Sequence, residues 1–262
     1  MPEGHTLHRL ARQLDERFAG RPVAVSSPQG RFEAGAALVD GRRLGEVAAY
    51  GKHLFASFGD LVVHVHLGIY GKVSEGHAPA PAPWGALRMR WTNEDWWSDL
   101  RGANAGEVVT HDEADAIVAR LGPDPLARRP DGARAWRRIS RSRAPIGVLL
   151  MDQSVVAGVG NVYRAEVLFR QRRSPFDEGR TLSEEEWQLL WADIVDLMRE
   201  GVRRGWIVTT RAEDRRRGRV RGEDAHYVYR RAGLACRICG TPVAASVMAA
   251  RNLFWCPTCQ CR

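Results

Sequence analysis

The chain has 262 residues, 44% of them hydrophobic, enough for one large domain or two to three smaller ones. Its 39 basic residues outweigh 31 acidic ones, and the formal net charge of +8 points to a polyanionic partner such as nucleic acid. No apolar run approaches the roughly 18–20 residues of a membrane span, and the start lacks the apolar core of a signal peptide, so the expectation is a soluble, cytoplasmic protein without a membrane partner.

The first element is legible in "MPEGHTLHRLARQL". Leu7, Leu10, Ala11, Leu14 and Phe18 recur at helical spacing and predict a helix over residues 1–19. On their own, Pro2 suits a first helical turn and Glu3 complements the positive end of the helix dipole. Residues 21–110 then read mostly as strands: "LVVHVHLGIYGKV" and "ALRMRW" alternate, and Gly, Pro and Asp punctuate the pieces. "EGHAPAPAPWG" reads as a loop, and "AYGKHLFASF" as a hairpin carrying Lys52. Lys52 and Lys72 are the two lysines; the other 37 basic residues are arginines. "HDEADAIVARLG" predicts a short helix closed by Gly122 and Pro123, and "GPDPLARRPDGAR" a linker.

Beyond the linker the period is helical. "RAWRRISRSRAPIGVLLMD" is interrupted at Pro145, "VAGVGNVY" is a Gly-rich turn, and "YRAEVLFRQRR" is helical again. Gly158, Gly160 and Asn161 precede that helix, where backbone N–H groups can approach a phosphate; spacing alone favours a tight helix–helix turn. Ser183 with Glu186 forms a capping box that opens a long helix to about Arg204. Residues 211–225 are charged, lack a core pattern and read as a mobile loop.

All five cysteines fall in the last 27 residues. Cys236, Cys239, Cys256 and Cys259 stand as C-x2-C-x16-C-x2-C, the spacing of a four-thiolate zinc site. Four thiolates leave no open position on the ion, so one zinc is expected to be structural; Cys261 is spare. Between the pairs, "VMAARNLFWC" reads as a hairpin turning at Arg251-Asn252. An arginine at such a tip suits a phosphate, because its planar fork can bind two oxygens.

Together "MPEG", "YGKHLF", "LGPDPL", "MDQSVVAGVGNVYRAEVLF" and "RNLFWCPTCQ" resemble the formamidopyrimidine-DNA glycosylase / endonuclease VIII family of base-excision repair enzymes, from first residue to last and in the family's order. "MPEGHTLHRLA" is most similar to the actinobacterial endonuclease VIII branch. The resemblance implies an α+β multidomain fold. Its expected parts are an N-terminal helix with a β-sandwich (1–121), a linker (122–134), a helix–two-turn–helix domain (135–225) and a zinc finger (226–262). It also implies a monomeric, nucleoid-associated bacterial enzyme acting on damaged double-stranded DNA, with the lesion flipped out of the stack.

By the same resemblance Pro2 is the nucleophile once Met1 is removed, Glu3 the acid/base, and Lys52 and Arg251 the accompanying catalytic cations. Asn161 and Gly160 contact DNA, and Ile69 and Tyr70 fill the gap left by the flipped base. An α-amine with an ordinary pKa of about 8 is far more often unprotonated at neutral pH than a lysine. Its attack on C1′ gives an iminium, which allows β,δ-elimination of the strand. Oxidised pyrimidines are the implied substrates. Thr6 departs from the pattern: many relatives carry a glutamate there, so a proton relay through that position is in doubt. The competing readings are a non-catalytic zinc-finger protein that senses DNA damage, which has no need of the Pro2-Glu3 pair, and a zinc-ribbon assembly factor, against which the β-rich first domain and the turn "GVGNVYRAE" argue.

Overall fold

The computed structural model describes residues 2–103, 105–215, 218 and 220–261. The chain divides into two compact units, Met1–Arg120 and Leu121–Arg262.

Unit 1 starts with α1 (Gly4–Phe18), whose stripe of Leu7, Leu10, Ala11, Leu14 and Phe18 is buried. Glu3 is its N-cap residue, in extended backbone. The strands that follow are β1 (Ala24–Ser26), β2 (Val47–Tyr50), β3 (His53–Phe58), β4 (Leu61–His66), β5 (Lys72–His77), β6 (Leu87–Thr92), β7 (Trp96–Arg101) and β8 (Ala105–Thr110). Among the described residues they form two four-stranded antiparallel sheets, ordered β1-β6-β7-β5 and β2-β3-β4-β8. Alternation turns Leu54, Ala56 and Phe58 of β3 into the core and leaves His53, Phe55 and Ser57 on the other face. Phe18 and Phe58 meet the ring of Trp91 edge-on, at centroid distances of 6.0 and 5.7 Å. On the opposite face of the same sheet Arg90 and Arg101 converge on the fully buried Asp99, with Nε–Oδ1 2.6 Å and Nη2–Oδ2 2.6 Å.

One helix in this region lies outside the strand reading. The segment "EAGAALV" forms α2 (Glu33–Val39), because its alanines favour helix and Ala36 and Val39 stand on one buried face. The predicted helix after β8 is α3 (His111–Ala119), opened by a capping box of Thr110 and Glu113.

Unit 2 holds α4 (Gly132–Ile139), α5 (Ile146–Leu149), α6 (Asn161–Arg170) and α7 (Glu184–Arg204). Pro145 interrupts the helical pattern as expected and becomes the N-cap residue of α5. Ser183 and Glu186 make the predicted capping box, and Gly205 closes α7 at φ +81°. Trp187 is the central side chain, stacked on Trp136 at 6.5 Å and donating its indole N–H to the Gly132 carbonyl at 2.9 Å. The segment read as a linker is packed at its start: residues 121–125 are buried, and the Gly122 N–H donates to Gln153 O at 2.8 Å.

The C-terminal hairpin is β9 (Ala244–Met248) with β10 (Arg251–Trp255). Its turn is not Arg251-Asn252. Arg251 already pairs with Met248, so the turn is Ala249-Ala250, at φ +52° and +55°. Two consecutive left-handed residues match the twist of the flanking strands in a two-residue hairpin. Alanine is not a residue that announces such a turn. The stretch 211–225 carries short 3-10 turns at Ala212–Asp214 and Gly222–Asp224. Its root is tied: the Thr209 N–H donates to Ala225 O at 2.8 Å and the Thr210 hydroxyl to Asp224 O at 2.7 Å. The mobility expected of this stretch falls partly on Arg216, Arg217 and Arg219, outside the described residues.

Candidate active site and zinc centre

At the start of α1, Pro2 is half-buried and Glu3 fully buried. The Glu3 carbonyl accepts the Thr6 N–H at 2.8 Å, so the backbone turns into helix immediately after the pair. Met1, whose removal the resemblance implies, lies outside the described residues. The Thr6 hydroxyl lies 3.3 Å from Nε2 of His5. His5 is itself buried; burial first, with nearby positive charge including His8 adding, lowers its pKa to about 4. The imidazole is therefore neutral in the fold, while the unfolded chain takes up a proton below about pH 6.5. Stability from this group is complete above that pH and is lost as pH falls toward 4. Between pH 7.5 and 5, a His5→Asn variant is expected to lose about 2 kcal/mol less than the parent, measured by chemical denaturation.

Lys52 sits in the two-residue turn between β2 and β3, where Gly51 takes φ +59°. Across the next hairpin His53 pairs with His66, so the turn carrying Lys52 and the loop 67–71 leave the same end of the sheet. In that loop the Gly71 N–H donates to Leu67 O at 2.9 Å, and a Cβ on Gly71 would lie 2.3 Å from the same oxygen. The tight turn pushes Ile69 and Tyr70 outward, at 43% and 79% exposure, instead of into the strand-end core.

In unit 2, Gly160 is the extended N-cap residue of α6 and Asn161 its first helical residue. Asn161 is buried; its Nδ2 donates to Asn252 O at 2.9 Å, and its Oδ1 accepts from Arg164. The Arg164 guanidinium also donates to Met248 O at 3.2 Å. These bonds join the N-terminus of α6 to both strands of the hairpin. Arg251 stands at the start of β10, its guanidinium 3.3 Å from Ala250 O.

Cys236, Cys239, Cys256 and Cys259 gather with their sulfurs within 4.8 Å of one another. Cys236 and Cys259 are 3.9 Å apart at Sγ, Cys239 and Cys256 3.5 Å. A tetrahedron with Zn–S bonds of about 2.3 Å has edges of about 3.8 Å. The four thiolates fit one zinc ion, whose coordination they complete, and its chemistry there is to hold the finger folded. The Cys261 thiol donates to Thr258 O, apart from the cluster.

Three family models match consecutive parts of the chain. They are the formamidopyrimidine-DNA glycosylase N-terminal domain over residues 1–108, the H2TH domain of the same enzyme over 121–212, and a zinc finger found in FPG and IleRS over 233–261. Endonuclease 8 1 of Mycobacterium tuberculosis is 50% identical over 267 residues, covering 99% of this chain and 100% of that protein. The chain belongs to the formamidopyrimidine-DNA glycosylase / endonuclease VIII family. The formamidopyrimidine-DNA glycosylase of Thermus thermophilus is 34% identical over 264 residues, covering 99% of this chain and 97% of its own length. The fold matches that of Lactococcus lactis Fpg in its complex with DNA containing an abasic site. The TM-score is 0.83 at 22% identity, over 99% of this chain and 100% of that one. Among the described residues no helix is long and apolar enough to cross a membrane.

Two buried residues of this glycosylase escaped the sequence reading. Arg164 is the positioning partner of Asn161 described above. Glu166, fully buried on α6, accepts from the N–H groups of Tyr227, Val228 and Tyr229 at 2.7–2.8 Å and from the Thr209 hydroxyl. It thus clasps the chain on both sides of the 211–225 stretch. In "YRAEVLFRQRR" each reads as a charged residue on the surface of a helix. The available clue is that Val162, Ala165, Leu168 and Phe169 leave such a helix no polar face. Glu166→Gln turns an amide N–H toward the donors and is expected to destabilise unit 2 by about 3 kcal/mol, read as a shifted denaturation midpoint.

Proposed function

We propose that this base-excision repair DNA glycosylase removes oxidised pyrimidines from double-stranded DNA and cuts the strand at the resulting abasic site by β,δ-elimination. The observation that carries the reading is Pro2 directly ahead of the buried Glu3 at the start of α1. The resemblance to the endonuclease VIII branch implies pyrimidine lesions over 8-oxoguanine, and the identity to endonuclease 8 1 supports that branch.

With Met1 removed, the Pro2 secondary amine attacks C1′ of the flipped nucleotide. Glu3, adjacent in the chain, protonates the opening sugar ring and the base departs. The resulting iminium withdraws electrons, so the C2′ proton is lost and the 3′ phosphate leaves; a second elimination expels the 5′ phosphate. Lys52 and Arg251 bind the phosphates that flank the lesion, with Asn161 and Gly160 at the N-terminus of α6. Ile69 and Tyr70 enter the gap in the base stack. The zinc keeps the hairpin under Arg251 in shape. The work divides among a catalytic segment 1–121, a DNA-gripping segment 135–225 and the finger 226–262, in a monomer acting at the bacterial nucleoid.

The test is a panel of duplexes carrying thymine glycol, 5-hydroxycytosine, 8-oxoguanine or a bare abasic site, each treated with enzyme and borohydride. A covalent adduct at Pro2 that forms faster on the pyrimidine lesions is the expected result. Adducts on a bare abasic site alone would overturn the substrate class; tight binding with no adduct on any duplex would leave a damage sensor in its place.

A further inference from the structure

The outer face of the sheet β2-β3-β4-β8 carries a line of side chains that the reaction above does not use. Nδ1 of His64 lies 2.9 Å from Oε1 of Glu107, and Nε2 of His64 lies 2.8 Å from Nδ1 of His53. Register accounts for the line. His64 stands between Phe55 on β3 and Glu107 on β8, with His53 two residues from Phe55 on the same face. The His53 and His64 rings lie within 13° of parallel at 5.1 Å, and His53 directly follows Lys52.

Only one proton fits between His53 Nδ1 and His64 Nε2. Glu107, an acceptor, keeps a proton on His64 Nδ1. When His64 is neutral its Nε2 is a lone pair, so His53 donates from Nδ1 and its own Nε2 is left an acceptor. When His64 is protonated, Nε2–H donates to His53 Nδ1, and a neutral His53 then carries its proton on Nε2. One proton gained by His64 thus converts the far nitrogen of His53 from acceptor to donor without moving a side chain.

We propose that Glu107–His64–His53 is a tautomer relay which makes the turn around Lys52 a proton-dependent phosphate site, so that DNA binds with uptake of a proton by His64. The inference rests on the reading of Lys52 as a phosphate-binding residue. His53 itself stays neutral: burial first, then His66, His64, Arg120 and Lys52, lower its pKa to about 3. Of the two imidazoles, His64 is the one in contact with a carboxylate, Glu107, at 2.9 Å. The other titratable groups around the relay are His66 on β4, Lys52 in the turn and Arg120 beyond α3. Farther along the same face, His111 and Asp115 of α3 and Glu46 border a groove with Phe55 and Val62. His66 is engaged elsewhere, its Nδ1 accepting the Gly68 N–H at 3.2 Å. Lys52 and Arg120 oppose a cation here, and a phosphate relieves that opposition. The sign follows: the complex favours the protonated relay, so affinity is highest at low pH and falls as pH rises.

The test uses the full chain and a duplex with a tetrahydrofuran abasic analogue, its affinity followed from about pH 5 to 8. Calorimetry in buffers of different ionisation enthalpy counts protons. The expected result is uptake of about one proton per duplex, with affinity falling up to about ten-fold per pH unit in the window. Glu107→Gln keeps the acceptor but removes the charge and moves the window to lower pH, and His53→Phe abolishes the uptake. Ring-nitrogen NMR of the free protein shows His53 changing tautomer as His64 titrates. A His53 tautomer that stays fixed through that titration, or undiminished uptake in His53→Phe, overturns the relay alone. Undiminished affinity in Lys52→Ala overturns the phosphate reading beneath it.

Discussion

A form of the chain whose Pro2 nitrogen is held in a peptide bond, by one added residue that is not processed, binds lesion DNA within a few-fold of the parent. It forms no borohydride-stable adduct and cuts at least about a thousand-fold more slowly. The reason is electronic: an amide lone pair is delocalised and cannot attack C1′, whereas the free secondary amine can. Glu3→Gln separates the next step. It leaves the amine in place, so an already opened abasic site is still trapped, while release of an intact oxidised base falls by about 10²–10⁴ because no proton reaches the opening ring. Trapping and strand cutting on the two substrates, measured side by side, distinguish the roles. An adduct from the extended chain would refute the assignment of Pro2.

Stripping zinc, or replacing Cys256 with serine, has the second large effect. The buried Cys256 is one of four thiolates whose metal supplies about 10–16 kcal/mol to folding in small zinc modules. The finger has little else: its buried apolar residues are few, Leu253, Phe254 and Val243 chief among them. Loss of the ion should therefore melt β9 and β10 while α7 and the sheets of unit 1 persist. With them goes the carbonyl of Asn252 that Asn161 holds, so the start of α6 loses its tie as well. Hydrogen exchange before and after chelation reads the effect peptide by peptide. Expected are rapid exchange over 233–261, weakened protection near Asn161, and unchanged protection in β3 and β4. Full protection of the hairpin after metal removal would contradict the zinc assignment.

The parts legible in the sequence share one property: each is set by residues close together along the chain. The stripe of α1, the capping box at Ser183 and Glu186, the Pro145 interruption and the paired C-x2-C turns are of this kind. What escaped depends on partners far away in sequence. Glu166 reads as a helix-surface carboxylate until Tyr227, Val228 and Tyr229 fold over it. His53 and His64 alternate with apolar residues as solvent-facing strand positions do, and only the pairing of β4 with β8 brings Glu107 to them. The hairpin turn was misplaced for a different reason. Ala249 and Ala250 accept positive φ because the strands on either side demand it, so tertiary pairing overrides local preference there.

The clasp around Glu166 has a consequence for how this enzyme can diverge. Three backbone donors and a threonine fix both feet of the charged stretch on α6. None of the three hydrophobic clusters borrows a side chain from the described residues of 212–223. Lengthening such a closed segment adds only about 0.6 kcal/mol for each doubling. A lineage can therefore rewrite these residues, in number and in charge, and leave the scaffold and its chemistry intact. Variation in length and charge among descendants of this chain should accumulate in this segment first.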